Sequence, residues 1–183
     1  MAWSNIVMQL TTLTGPILGE SQYALPFTAQ IELTEFSWSM GAHRNPEMKG
    51  GFKPSLSGAV GSFLGVGGKD VQVQLGHLEF RKRFDIASSG IMLALDNHEK
   101  VLLASITVLN IQNLGPIRDP GFNLTVTDGY FSDVKIDCQS SPMGAEIIET
   151  VHLNFNSITM TYLRKVDAIN AHVPTNPFFF KKT

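Results

Sequence analysis

Residues 71–112 read VQVQLGHLEFRKRFDIASSGIMLALDNHEKVLLASITVLNIQ, and this stretch restricts the fold more than any other. It scans as strand, short helix, strand. The first strand alternates, with Val71, Val73 and Leu75 on one face. The apolar phase then moves to even positions, Leu78, Phe80 and Phe84. A one-residue slip at a glycine marks a β-bulge, and Gly76 stands at the slip. Ser88 or Ser89 is placed to cap a helix whose apolar side is Ile91, Met92, Leu93 and Leu95. Asn97 suits a left-handed helix end. The closing strand, residues 101–111, is apolar on both faces: Leu102, Ala104, Ile106 and Val108 one way, Val101, Leu103, Leu109 and Ile111 the other. Such a strand needs cover on both sides, from the helix or from another subunit.

The flanking segments add strands. Residues 6–10 form a short first one, and residues 11–26 read as loop. Residues 30–40 form a second, with Thr34, Phe36, Trp38 and Met40 toward the core and Glu35, Ser37 and Ser39 toward water or a lumen. From residue 122 to 138, Phe122, Leu124, Val126, Tyr130, Val134, Ile136 and Cys138 recur on even positions. Asp128-Gly129 resembles a hairpin turn, but a two-residue hairpin would reverse the facing parity. One long strand bent at Gly129 keeps the parity, and Cys138 then reads as a buried, inert thiol. Residues 149–165 form the last long strand, whose phase slips at Asn156-Ser157. Two slips and one bend suit a sheet that curls toward a barrel, with one small helix.

Residues 41–70 break every periodicity, with eight glycines and two prolines. A structureless loop of ~30 residues is unusual in one domain. It also carries Met48, Phe52, Phe63 and Leu64, too much apolar surface for a solvated loop. The preferred reading is an arm lying on a neighbouring subunit; the alternative is a loop folded on its own barrel. The tail ends in Phe178, Phe179 and Phe180 and needs a docking site on this subunit or another.

Composition excludes several classes. A length of 183 residues suits one core, and a net charge of −2 gives no electrostatic footprint for nucleic acid or an anionic membrane. Charged residues make up 16% of the chain, against the usual ~25%, which suits subunit contacts. The single cysteine forbids an intrachain disulfide. The first basic residue is Arg44, so the charged start of a Sec-type signal is missing, and no stretch is long and apolar enough to insert in a membrane. The chain is expected to be made in the cytoplasm and to leave without such a signal.

No catalytic set, cofactor site or metal site is apparent. The five histidines show no ligand spacing, and His77 and His152 read as surface residues. Residues 65–70, GVGGKD, fail as a phosphate loop, because Phe63 replaces the first glycine and Asp70 the metal-binding hydroxyl. Arg81-Lys82-Arg83 divides between two strand faces and is no basic patch.

Three ordered motifs resemble one family. IELTEFSWSM at residues 31–40 follows GES at 19–21; LEFRKRFD at 78–85 leads into IMLAL at 91–95; ETVHLNF at 149–155 precedes residues 158–162. Together they cover most of residues 6–165 and resemble the Hcp family, the haemolysin-coregulated proteins that form the inner tube of the bacterial type VI secretion system. The arm looks long for that family, and the three terminal phenylalanines match no pattern in it. The resemblance implies a mainly β fold: a two-sheet β-barrel with one short α-helix at the side and a long extended loop. It divides the chain into a barrel domain at 1–166, with the arm at 41–70, and a tail at 167–183. It implies no catalysis. It implies homo-hexameric rings stacked into a tube, partnered by sheath and spike proteins and by small secreted effectors, with Glu35, Ser37 and Ser39 lining the lumen. The sequence also leaves open a phage-like tail tube, a monomeric barrel that binds a small ligand, and, last, an enzyme.

Overall fold

A computed structural model describes residues 5–23, 27–44, 71–109, 120–141, 144–166, 171–174 and 177–181. Met48, Phe52, Phe63 and Leu64 lie outside these residues. The strands are β1 (Ile6–Thr12), β2 (Pro16–Ile17), β3 (Ile31–Leu33), β4 (Glu35–Arg44), β5 (Val71–Arg83), β6 (Lys100–Leu109), β7 (Pro120–Ser141), β8 (Gly144–Val166), β9 (Ala171–Pro174) and β10 (Phe178–Lys181). Among the described residues there is one helix, α1 (Ile86–Asp96), which joins β5 to β6. The chain divides into two compact units, Met1–Ser37 with His77–Thr183, and Trp38–Gly76.

The strand order is β2-β1-β6-β7-β8-β5-β4, and the pairs from β2 to β5 are antiparallel. β3 pairs with β1 at the opposite end of that order from β4, yet only Thr34 separates β3 from β4 in sequence. The Thr34 amide donates to the Arg81 carbonyl at 2.8 Å, so the stretch passes from one end of the sheet to the other. Phe36 on β4 stacks on Phe122 of β7, with ring centroids 6.4 Å apart. In a flat sheet, strands three places apart lie ~14 Å from each other. The sheet is therefore strongly curled. Its interior holds Met8, Leu10, Ile31, Leu33, Leu78, Phe80, Ile106, Leu124, Leu153 and Ile158, all fully buried. Each such side chain contributes ~1.5–3 kcal/mol relative to exposure.

Residues 71–109 do form strand, helix and strand, with differences of detail. Leu75 and Leu78 are both buried, as a phase slip between them requires. Phe84 is half-exposed and lies beyond the end of β5; the even position that fills the core after Phe80 is Lys82. The helix begins one turn earlier than the serines suggest. Asp85 is the N-cap and accepts from the Ala87 amide at 2.9 Å, while Ser88 reaches back to the Asp85 amide at 3.0 Å. Ser88 is thus the third helical residue of a capping box and not the cap. The helix ends at Asn97 with an ordinary negative φ, and His98, at φ 49°, takes the left-handed position. Ala87, Ile91 and Ala94 face inward, and Leu93 is exposed. Gly90 lets the helix approach β2, since a methyl group there would stand 3.2 Å from Ile17 Cγ2.

Lys82 and Glu149 anchor the helix start to the sheet. They are cross-strand partners on β5 and β8. Lys82 Nζ donates to Asp85 Oδ1 at 2.6 Å, Ser88 Oγ at 2.9 Å and the Arg83 carbonyl at 2.8 Å, and it forms an ion pair with Glu149 Oε2 at 2.8 Å. Ser88 Oγ in turn donates to Glu149 Oε2 at 2.9 Å. Lys82 and Glu149 side chains are 0% and 1% exposed, so this ion pair sits in the core.

β6 is not two-faced throughout. The register with β1 shifts at Leu102, and the register with β7 shifts between Val108 and Leu109. Val101, Ala104 and Ile106 are buried, Leu102 is exposed, and Leu109 is buried in a separate cluster with Val7 and Tyr23. β7 is one long strand, not a hairpin at Gly129. The parity is not kept along it, however. Asp128, at φ 61°, and Asn156 opposite it are left out of the ladder without a change of register, and the one register shift falls between Phe131 and Asp133. Phe131 is buried in place of Tyr130, while Ile136 and Cys138 are exposed, so the thiol is not a core residue. On β8 the buried phase does pass from Phe155 to Ile158 across the slip at 156–157. The strand expected at residues 30–40 is interrupted at Thr34: Ile31 and Leu33 are buried on one parity, Phe36 is half-buried on the other, and Met40 is exposed. The loop reading of residues 11–26 missed the two-residue β2. The tail runs back antiparallel along β8, with β9 on Leu163–Val166 and β10 on Ser157–Met160.

In the smaller unit, Gly76 passes directly over Ser39, and a Cβ at Gly76 would collide with the Ser39 side chain. Close strand approach is thus the role the structure gives this glycine.

Candidate functional site

The outward side of β5 and its neighbours carries the polar phase. Because Leu78, Phe80 and Lys82 point inward, His77, Glu79 and Arg81 point outward. On β8, Val151 and Leu153 point inward and His152 outward. Glu79 is the cross-strand partner of His152, and His152 of Asp133 on β7. Glu35 and Ser37 at the start of β4 continue this face and are exposed; Ser39 is exposed as well.

Three polar contacts organise the surface. Arg81 Nη1 donates to Glu35 Oε1 at 2.8 Å, and that hydrogen bond raises the guanidinium pKa above its ordinary value. Lys135 Nζ meets Asp137 Oδ2 at 2.8 Å. His152 lies between two carboxylates, Nε2 at 3.1 Å from Glu79 Oε2 and Nδ1 at 3.8 Å from Asp133 Oδ2. The His77 ring leans on the His152 ring, centroids 4.5 Å apart. Reading the two histidines as separate surface residues missed this pairing. They are 75 positions apart, and only the β5–β8 register brings them together. The one available signal was that both stand on the polar phase of long strands.

A cleft lined by Glu35, Phe36, Ser37, Glu79, Phe80 and Arg81 opens on the same face, with a volume of about 220 Å³. Small-molecule pockets usually start at ~300 Å³, so this cleft does not favour a monomeric ligand-binding barrel. Phe178 and Phe179 are exposed on β10, and Phe180 is half-buried beside β8.

Large apolar side chains are exposed elsewhere. Phe84, whose amide donates to the Ile147 carbonyl at 3.0 Å, forms a ridge with Ile147 and the nearby Ile86. Leu13, Leu18 and Leu93 are also more than half exposed. Among the described residues no helix is long and apolar enough to cross a membrane.

By sequence, no curated protein matches the chain significantly. Solved structures are similar in fold. A double variant of Hcp1 from Escherichia coli EAEC 042 matches with a TM-score of 0.62 at 15% identity, covering 93% of this chain and 96% of that one. The secreted protein Hcp3 of Pseudomonas aeruginosa gives 0.63 at 14% identity, with 97% of each chain covered. A type VI secretion system effector from Yersinia pestis gives 0.63 at 10% identity, covering 96% and 98%. The family model described as type VI secretion system effector, Hcp, matches residues 8–162. The curled antiparallel sheet, the helix between β5 and β6 and a match over most of the sequence together place this chain in the Hcp family of type VI secretion proteins.

Proposed function

We propose that this chain is a tube subunit: six copies close into a ring, rings stack into a hollow tube, and the lumen carries small effectors. The observation that carries the reading is the Hcp family match across residues 8–162. Exposed apolar side chains support it, because Phe84, Ile86, Ile147, Leu13 and Leu93 are the kind of surface that a neighbouring copy covers. The polar face supports a wet lumen, lined by Glu35, Ser37 and Ser39. Met48, Phe52, Phe63 and Leu64 serve as the arm that clasps an adjoining subunit, and Phe178, Phe179 and Phe180 add a further contact. In this reading residues 1–166 are the barrel domain, residues 41–70 its arm and residues 167–183 its tail. The tube acts by geometry and not by catalysis. It assembles in the bacterial cytoplasm inside a sheath, carries a spike at its tip, and is expelled to the exterior or into a target cell.

The test is mass and shape. Light scattering behind a sizing column is expected to give six chains per particle. Negative-stain micrographs are expected to show rings with an open centre. A monomer at every concentration tried would overturn the proposal.

A further inference from the structure

We infer that His77, Glu79 and His152 form a binding site for one divalent transition-metal ion of the zinc class. One nitrogen of each histidine and one Glu79 oxygen lie within 4.8 Å of one another. Around a tetrahedral zinc with ~2.0–2.1 Å bonds, donors stand roughly 3.3 Å apart. His152 Nε2 and Glu79 Oε2, at 3.1 Å, already have that spacing. His77 is exposed, so its ring closes the remaining distance by side-chain rotation with no movement of the sheet.

The frame is rigid. Glu79 and His152 are direct cross-strand partners, and His77 stands two residues before Glu79 on the same face of β5. The donor chemistry is selective. Two imidazoles and one carboxylate suit Zn²⁺, Ni²⁺ or Cu²⁺, whereas Mg²⁺ and Ca²⁺ prefer all-oxygen sets. A fourth position stays open to water. The far nitrogen of His152 lies 3.8 Å from Asp133, an exposed carboxylate that a small side-chain rotation brings into hydrogen-bond reach, where it would orient a metal-bound histidine. The cations of this face do not compete for Glu79, since Arg81 bonds Glu35 and Lys135 bonds Asp137. The site depends on the register of β5, β7 and β8 within one chain and not on ring assembly.

Untagged protein, stripped with EDTA and titrated with ZnCl₂ in a calorimeter, is expected to bind one Zn²⁺ per chain at this site. His152→Ala and Glu79→Gln each weaken binding at least about tenfold, and Asp133→Asn weakens it about tenfold through the outer carboxylate. His98→Ala, at the end of the helix, leaves the isotherm unchanged. Melting curves in EDTA check that each variant folds. Should a variant fail to fold, Cu²⁺ electron paramagnetic resonance on the unaltered protein decides, with hyperfine coupling from two imidazole nitrogens expected. Absence of stoichiometric uptake, an isotherm unmoved in the His77→Ala/His152→Ala double variant, or a copper spectrum without nitrogen coupling overturns the site.

Discussion

The residue that most separates this structure from a generic curled sheet is Lys82. Its ammonium is fully buried against Glu149 and Asp85, with Ser88 completing the set. A buried pair adds little net stability over a well-packed apolar pair, but breaking one side leaves an uncompensated charge. Lys82→Met is therefore expected to lower unfolding free energy by about 3–5 kcal/mol in urea melts. Lys82→Met with Glu149→Leu is expected to recover most of that loss, because both charges then leave together. A double variant no more stable than the single one would show that the Lys82–Glu149 pairing is not the source of the effect. The sequence carried a partial signal here: Lys82 stands in phase with Leu78 and Phe80, and Glu149 with Val151 and Leu153. Dividing residues 81–83 between two faces was correct, but it left open what the Lys82 side chain meets. Cross-strand register answers that, and no local pattern encodes the register of strands 67 residues apart. The same limit hid the His77–His152 contact. Ser88 was legible as a capping residue and was given the wrong place in the motif, because Asp85 competes for the N-cap and wins through its carboxylate on the Ala87 amide.

At the scale of elements, period-two alternation accounts for part of the β7–β8 ribbon and fails for the rest. The single strand running through Gly129 and the slip at 156–157 both follow from period-two counting. The change of face at Asp128 does not, because a left-handed residue there reverses parity while the register with β8 stays unbroken. A methyl group at Gly129 would come within 2.5 Å of the Asn154 carbonyl oxygen. Gly129→Ala is expected to cost about 1–3 kcal/mol by overpacking, read as a lower urea midpoint with an unchanged slope. The Asp128 carboxylate is held by two neighbours: Asn156 Nδ2 donates to it at 2.8 Å and Lys100 pairs with it. The hydrogen bond from Lys100, and then that from Asn156, lowers the Asp128 pKa below the ordinary carboxylate value. A lowered folded pKa means that the unfolded chain binds the proton more readily. The stabilisation is complete above the ordinary value and is lost as pH falls through the lowered one. A carboxyl-carbon NMR titration is expected to place the Asp128 midpoint on the acid side of the normal range, and Asp128→Asn is expected to remove that portion of the acid-limb slope. A normal midpoint would mean that the contact does not persist in solution.

At the scale of the whole molecule, a family match and a fold give a shape, and assembly requires that the right surfaces be wet or covered. The outward polar phase and the exposed apolar side chains make different demands on a ring. If Ser37 and Ser39 face a water-filled lumen, new charges there meet solvent and repel or attract only what passes through. Glu35 is a poor choice for that experiment, since reversing it would set two cations together against Arg81. Ser37→Lys with Ser39→Lys leaves the ion pair in place and adds two charges per subunit. The expected outcome is intact rings by electron microscopy with altered retention of effectors, shifted in the direction of each effector's charge. Loss of rings would mean that this face is a contact between copies, because six lysine pairs brought against a neighbour would be desolvated without partners. The arm gives the converse case. Phe52→Ser, Phe63→Ser and Leu64→Ser together remove apolar surface without adding charge, so a chain that uses them only at a neighbour should remain folded and run as a monomer in light scattering. Rings that survive the triple change would move the cohesion elsewhere, to the ridge of Phe84, Ile86 and Ile147. A chain that unfolds would show that residues 52, 63 and 64 belong to its own core. Self-association by the arm thus predicts a single pattern in the two experiments: rings tolerant of charge at Ser37 and Ser39, and dispersed, folded subunits when the arm loses its apolar side chains.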